Sequence, residues 1–292
     1  RALTVAQQQY QSAAAFLAVM SASTAFAACA EAPAETRSRG DTEAAAGILA
    51  LADEQFGRGE FAEACVKYRL VLGLDRGNEA ARLGLGEGAL AQAEYQAARA
   101  HFEDVARRLP ESSRAHQGIG LSYLLAGDMA RSEPALRQSV ALDASLWRSW
   151  NGLAVIADAR GDWAAADEAF ARAIDAAPRE AIIYNNLGLS RLQRGAHASA
   201  IEAFDRALQL RPAMRTAVEN RRIALAMSGE YDAALAGVSE AELPAALNNV
   251  AVIAARRGDR AIADRLFAAA LTASPRYYEL AARNRDAATS FR

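Results

Sequence analysis

Between residues 147 and 178, bulky, small and polar positions follow one another in a fixed order. Counting Trp147 as position 1, Trp150 is bulky at 4, Ala154 and Ala166 are small at 8 and 20, and Phe170 is aromatic at 24. Ala173 follows at 27 and Pro178 at 32. The same order returns 34 residues later, from Ala181, as Tyr184, Gly188, Ala200, Phe204, Ala207 and Pro212. Towards the N-terminus, the unit from Glu79 gives Gly86, Ala98, Phe102 and Pro110; the unit from Ser113 gives His116, Gly120 and Tyr123, with Ala144 in the place of Pro. A degenerate first unit from Ala45 has Ala52, Gly59, Ala64 and Tyr68. Beyond Met214 the spacing shortens. A unit from Arg215 keeps Gly229, Tyr231 and Ala234 but ends early, and a last unit from Pro244 gives Ala251, Gly258, Ala263, Phe267, Ala270 and Pro275.

Each unit holds two helices. Small residues at 8 and 20 let helix A and helix B of a unit approach closely, and the aromatic at 24 fills the gap to neighbouring helices. Gly followed by an acidic residue at 15 and 16, as in Gly127-Asp128, Gly161-Asp162, Gly229-Glu230 and Gly258-Asp259, ends helix A and starts helix B. The Pro at 32 closes the unit. These positions and their period resemble the tetratricopeptide repeat (TPR). The resemblance implies an all-α fold, a right-handed solenoid of about seven helix hairpins with a continuous core. The hairpins span 45–78, 79–112, 113–146, 147–180, 181–214, 215–243 and 244–277, and residues 278–292 form a polar capping helix.

The N-terminus has a different character. Residues 12–28 are uncharged, small and apolar, with Arg1 upstream, so residues 1–28 look like a secretory signal. Phe26-Ala27-Ala28-Cys29 resembles a bacterial lipobox, which would make Cys29 the lipidated first residue of the mature chain, although Phe26 stands where Leu is usual. The competing signal is Ala25-Phe26-Ala27, an A-x-A site whose cleavage gives a soluble periplasmic protein. Residues 29–44 are polar, carry Pro33 and Gly40, and are expected to form a flexible tether.

Composition narrows the function classes. The 33 basic and 35 acidic residues nearly cancel, so no electrostatic footprint suggests nucleic acid. With only Cys29 and Cys65, neither a disulfide scaffold nor a four-cysteine zinc site is available. His101, His116 and His197 fall at different repeat positions without helical pairing, so no metal or cofactor is expected. His116 sits at the bulky position 4, where a packed core histidine is the expectation. Gly84-Leu85-Gly86-Glu87-Gly88 superficially resembles a phosphate loop, but lacks the preceding strand, and Gly86 is a small position 8. Cys65, within helix B of the first unit, fits a semi-buried thiol better than a nucleophile. No enzyme emerges.

What remains is a surface. The resemblance implies that helix A lines a concave groove, chiefly through positions 2, 5, 6, 9, 12 and 13. Position 9 gives Leu121, Val155, Leu189, Ile223 and Val252 after Glu87, and position 6 gives Asn186, Asn220 and Asn249. Asn151 and Asn185 at position 5, with Arg114 and Arg148 at position 2, extend the polar side. An apolar row beside an amide row suits a bound protein segment, although position 9 also fits a core role and the convex face remains open. Trp150-Asn151-Gly152-Leu153-Ala154, Tyr184-Asn185-Asn186-Leu187-Gly188-Leu189-Ser190 and Asn220, followed by the truncated unit, resemble the TadD-type lipoproteins of tight-adherence (Tad/Flp) pilus loci; Asn220-Arg221-Arg222-Ile223 departs from that pattern. The resemblance implies a pilotin-like assembly factor in the cell envelope, anchored to the outer membrane by lipid, whose partner is an outer-membrane secretin or another pilus component. The alternative is a soluble periplasmic adaptor for other envelope machinery.

Overall fold

The computed structural model describes residues 39–273 and 282–285, and the regular elements among them are all helices. The chain divides into two compact units at Pro178 and Arg179. The first contains α1 (Arg39–Gly57), α2 (Phe61–Leu74), α3 (Glu79–Ala91), α4 (Tyr95–Arg108), α5 (Ser113–Leu125), α6 (Met129–Leu142), α7 (Trp147–Ala159) and α8 (Trp163–Ala176). The second contains α9 (Ala181–Gln193), α10 (His197–Leu210), α11 (Arg215–Ser228), α12 (Tyr231–Leu235), α13 (Leu243–Arg257) and α14 (Arg260–Ala273). Residues 282–285 are also helical.

Successive helices pair into hairpins, each stacked on the next within its unit. This is the all-α stack of TPR-like hairpins that the periodicity predicts. Helix A begins at Glu79, Ser113, Trp147, Ala181 and Arg215, the first residues of the expected units. The first hairpin differs. Residues 39–44, expected in the tether, belong to α1, where Asp41 lies in the first turn and complements the helix dipole. Ala44 to Ala46 supply strong helix formers immediately afterwards, which outweighs the cost of Gly40 near the end. Residues 1–38, with the expected signal and Cys29, lie outside the described residues. So does most of the expected capping helix; its residues 282–285 are helical as expected. None of the described helices is long and apolar enough to cross a membrane.

Caps explain why the helices break where they do. Asn78, Ser112, Asp128 and Asp162 each accept a bond from the backbone N–H three residues on, satisfying a donor that the first helical turn leaves open. Between helix A and helix B the chain passes through left-handed backbone, at Gly127 (φ 83°) and Gly161 (φ 74°) among others. Ala93 occupies the same place between α3 and α4 with φ 59°, the one non-glycine to do so among the described residues.

The core follows the repeat positions. Phe102, Phe170, Phe204 and Phe267, all at position 24, are fully buried, with Tyr68 in the corresponding place of the first hairpin. In the third hairpin Leu136 substitutes for the ring, and Ser132 at position 20 bonds the Gly120 carbonyl at 2.8 Å. The ring of Phe102 is held between two glycines: a Cβ added at Gly86 would lie 2.6 Å from it, and one at Gly118, on the next helix A, 2.4 Å. Gly84 faces Tyr68 and Gly152 faces Leu136 in the same manner. Glycine at position 6 of the first unit is therefore a seat for the side chain of the preceding hairpin. The sixth hairpin is irregular, since Arg222 takes position 8 and α12 is only five residues long.

Candidate partner-binding surface

The division at residue 178 separates the expected groove into two sets. Position 6 is Gly in the first unit (Gly84, Gly118, Gly152) and Asn in the second (Asn186, Asn220, Asn249). The amide row therefore belongs wholly to the second unit, on the helices A of its three hairpins, α9, α11 and α13.

In that unit the asparagines bond to one another. Asn220 Nδ2, on α11, donates to Asn185 Oδ1 on α9 at 3.0 Å, and Asn185 Nδ2 donates to Asn186 Oδ1 at 3.4 Å. The arrangement recurs at the other end: Asn284 Nδ2 donates to Asn248 Oδ1 at 3.0 Å, and Asn248 Nδ2 donates to Asn249 Oδ1 at 3.5 Å. The amide orientations follow from this network. Asn185 and Asn248 are buried, Asn186 and Asn220 half-buried, and Asn249 exposed. On α9 and α13 position 5 thus points into the stack and position 6 towards its edge. That corrects the placing of Asn185 on the open polar side: it is an internal link between α9 and α11, because the next helix A covers position 5. Asn248 plays the same part and was not expected. The doublets Asn185-Asn186 and Asn248-Asn249 are its visible sign, at corresponding positions of their units.

Beside this row, Ile223 and Val252 are half-buried and Leu189 is buried with 9% of its surface exposed. Val252 packs against the core of the last hairpins, formed around Val250, Ala251, Ala254 and Phe267. An apolar strip partly open to solvent thus lies one turn along from the amides, since positions 6 and 9 are three residues apart on a helix.

The first unit offers less. Leu121 is wholly buried and belongs to the core with Leu124, Leu136 and Ile156; it is not available to a partner, because position 9 of α5 is covered by its neighbours. Asn151 is likewise fully buried. Val155 is half-buried against the same core and Arg114 is exposed. Arg148 is half-exposed, and its Nη1 donates to both Glu87 Oε1 and Oε2 at 2.9 Å. Gln117, at position 5 of α5, is buried and donates to Ser149 Oγ at 3.1 Å, so internal polar links between successive helices A occur here too.

Titratable groups support a structural reading. Burial lowers the pKa of His101, helped by Arg82 and Arg69 and opposed by Asp104, and burial with Arg257 lowers that of His197. His116 is half-buried, not a core residue, and its Nε2 lies 2.8 Å from the Pro110 carbonyl. Burial raises the pKa of the Cys65 thiol, leaving it protonated and poorly nucleophilic. Gly88 lies directly against this sulfur, which accounts for the third glycine of the 84–88 run. No three His, Cys, Asp or Glu side chains among the described residues gather as a metal site.

Stacked helix hairpins with a ring locked between small residues define a helical-repeat protein of the TPR class. Residues 83–146 and 151–215 match the tetratricopeptide-repeat family model, and the chain has the fold of a TPR solenoid. Its fold is similar to that of a thermophilic TPR protein of Thermus thermophilus, at 14% identity and a TM-score of 0.56, covering 62% of this chain and 98% of that one. The Cut9–Hcn1 hetero-tetramer of the APC/C gives 17% identity and a TM-score of 0.56, over 82% of this chain and 55% of that one. A TPR protein from Parabacteroides merdae gives 11% and 0.51, over 85% and 99%. These likenesses concern the fold. No curated protein matches the sequence. TPR proteins mediate protein–protein interactions and the fold is typically a non-enzymatic scaffold.

Proposed function

We propose that the chain is a non-enzymatic interaction scaffold of the bacterial envelope, a TadD-type lipoprotein that assists assembly of a Tad/Flp pilus, and that its partner segment docks along the second unit. The observation that carries the docking claim is the recurrence of Asn186, Asn220 and Asn249 at one repeat position, held by bonds to the buried Asn185 and Asn248, beside Ile223 and Val252. Partly open amides beside a partly open apolar strip suit a peptide backbone and its apolar side chains together. The pilus assignment is supported by the resemblance around Tyr184–Ser190 and by the truncated sixth hairpin, and the envelope assignment by the apolar leader and the lipobox-like residues ending at Cys29. Two or more acyl chains on Cys29 give stable attachment where a single chain is marginal.

The test is fractionation combined with capture of a named partner. The wild-type chain, expressed in a host carrying a Tad locus, is expected in the outer membrane and to capture the secretin of that locus. Cys29→Ser is expected to be released or left unprocessed. A mature protein cleaved after Ala27, recovered in the periplasm without secretin, establishes the soluble adaptor instead.

A further inference from the structure

Glu87 and Arg148 are 61 residues apart in sequence. One lies on α3 of the second hairpin and the other on α7 of the fourth, and α5 packs against both helices. Their ion pair therefore crosses the intervening helix A, the one that carries Leu121. This is not an i, i+4 pair of a solvated helix face but a bond between non-neighbouring hairpins within the first unit. Both carboxylate oxygens share Arg148 Nη1, and the side chains keep 29% (Arg148) and 19% (Glu87) of their surface exposed. The bond is shielded enough to form and open enough for another carboxylate to reach. Arg114, at position 2 of α5 as Arg148 is of α7, is exposed and makes no ion pair among the described residues.

We propose that Glu87 is an internal occupant of the first unit, holding on Arg148 the place that a partner's carboxylate takes. The proposal rests on the reading of the chain as a protein-binding scaffold and adds a second, self-competing contact apart from the asparagine row. The partner it fits is an acidic peptide segment. One of its carboxylates replaces Glu87 on Arg148, exchanging one charge-assisted bond for another of the same kind, and a second meets Arg114. Because Glu87 is tethered to the same unit, its effective concentration at Arg148 is high, so a peptide with one isolated carboxylate competes poorly. Glu87 thereby sets a threshold of acidity for entry.

The experiment uses the full chain and a fluorescein-labelled peptide of alternating Glu and Leu, followed by fluorescence anisotropy at low salt. Glu87→Gln is expected to bind the probe about tenfold more tightly than wild type. Adding Arg148→Gln is expected to abolish that gain, and Arg148→Gln alone to bind no better than wild type. Glu87→Asp, which keeps the charge but shortens the reach, is expected to give an intermediate gain and serves if the Gln variant does not fold. Equal affinities for wild type and both Glu87 variants overturn the proposal, as does a gain that survives Arg148→Gln. The gain is expected to persist when Asn186→Ala and Asn249→Ala are combined with Glu87→Gln, so failure of the asparagine surface and failure of this contact give different results.

Discussion

Adding a single methyl group at Gly118 separates packing from helix propensity. In an isolated helix Gly→Ala is favourable by ~1 kcal/mol, because Gly surrenders more backbone entropy on folding. At Gly118 the new Cβ would lie 2.4 Å from Cδ1, Cε1 and Cγ of Phe102, well inside contact distance. The ring has no room to retreat, since Gly86 approaches it from the other helix and Phe102 is fully buried. Overpacking of this kind costs ~1–3 kcal/mol and here exceeds the propensity gain. Gly118→Ala is therefore expected to destabilise by up to about 2 kcal/mol net. Gly47 provides the control: it lies within α1, and a Cβ there meets nothing within 4 Å. Gly47→Ala is expected to stabilise by up to ~1 kcal/mol. Thermal melts of the full chain by far-UV circular dichroism should show opposite signs, with shifts of about 2–4 °C per kcal/mol. Stabilisation by both substitutions refutes the account of position 6 as a ring seat; destabilisation by both refutes the assignment of α1 as an ordinary exposed helix.

Two further outcomes follow from the backbone and from burial. Ala93 adopts φ 59° where the other hairpins have Gly, so Ala93→Gly is expected to raise the thermal midpoint, relieving a left-handed strain of ~1 kcal/mol, while Gly127→Ala at the equivalent turn lowers it. His101 has its pKa lowered from 6.5 by burial, so its neutral form contributes stability that is complete above that value and is lost as pH falls through the lower folded value. His101→Gln is expected to flatten the fall in midpoint as pH drops below about 6.5; an unchanged profile assigns that fall to other groups.

How much of this was legible in the sequence depends on the distance over which the cause acts. Helix starts at Glu79, Ser113, Trp147, Ala181 and Arg215 were readable because caps, turn glycines and the 34-residue order act within one unit. The start of α1 was missed because Gly40 outweighed a run of alanines that the structure makes helical. Leu121 and Asn185 were placed on an open face because a repeat position gives direction around one helix, whereas burial depends on the helix stacked against it. The bond from Asn220 to Asn185 and that from Arg148 to Glu87 join different hairpins, and no spacing within a unit announces either. Position 6 could have yielded more. Its change from Gly84, Gly118 and Gly152 to Asn186, Asn220 and Asn249 is plain in the sequence and coincides with the boundary between the two units.

The claim that the second unit grips its partner through position 6 is tested most directly by the dissociation constant of the secretin complex for wild type and for the double variant Asn186→Ala, Asn249→Ala. Asn220 is kept because its 3.0 Å bond to Asn185 ties α11 to α9, whereas Asn186 and Asn249 accept longer bonds, at 3.4 and 3.5 Å, from the asparagine beside each on the same helix. Each amide lost from a buried contact leaves a partner group unsatisfied, at ~1–3 kcal/mol, so the pair is expected to weaken binding by more than tenfold. Ala is the better helix former, which offsets the loss of the two long bonds accepted from Asn185 and Asn248, so the thermal midpoint is expected to stay within a few degrees of wild type. Unchanged affinity in a folded double variant contradicts the account and moves the contact off this face.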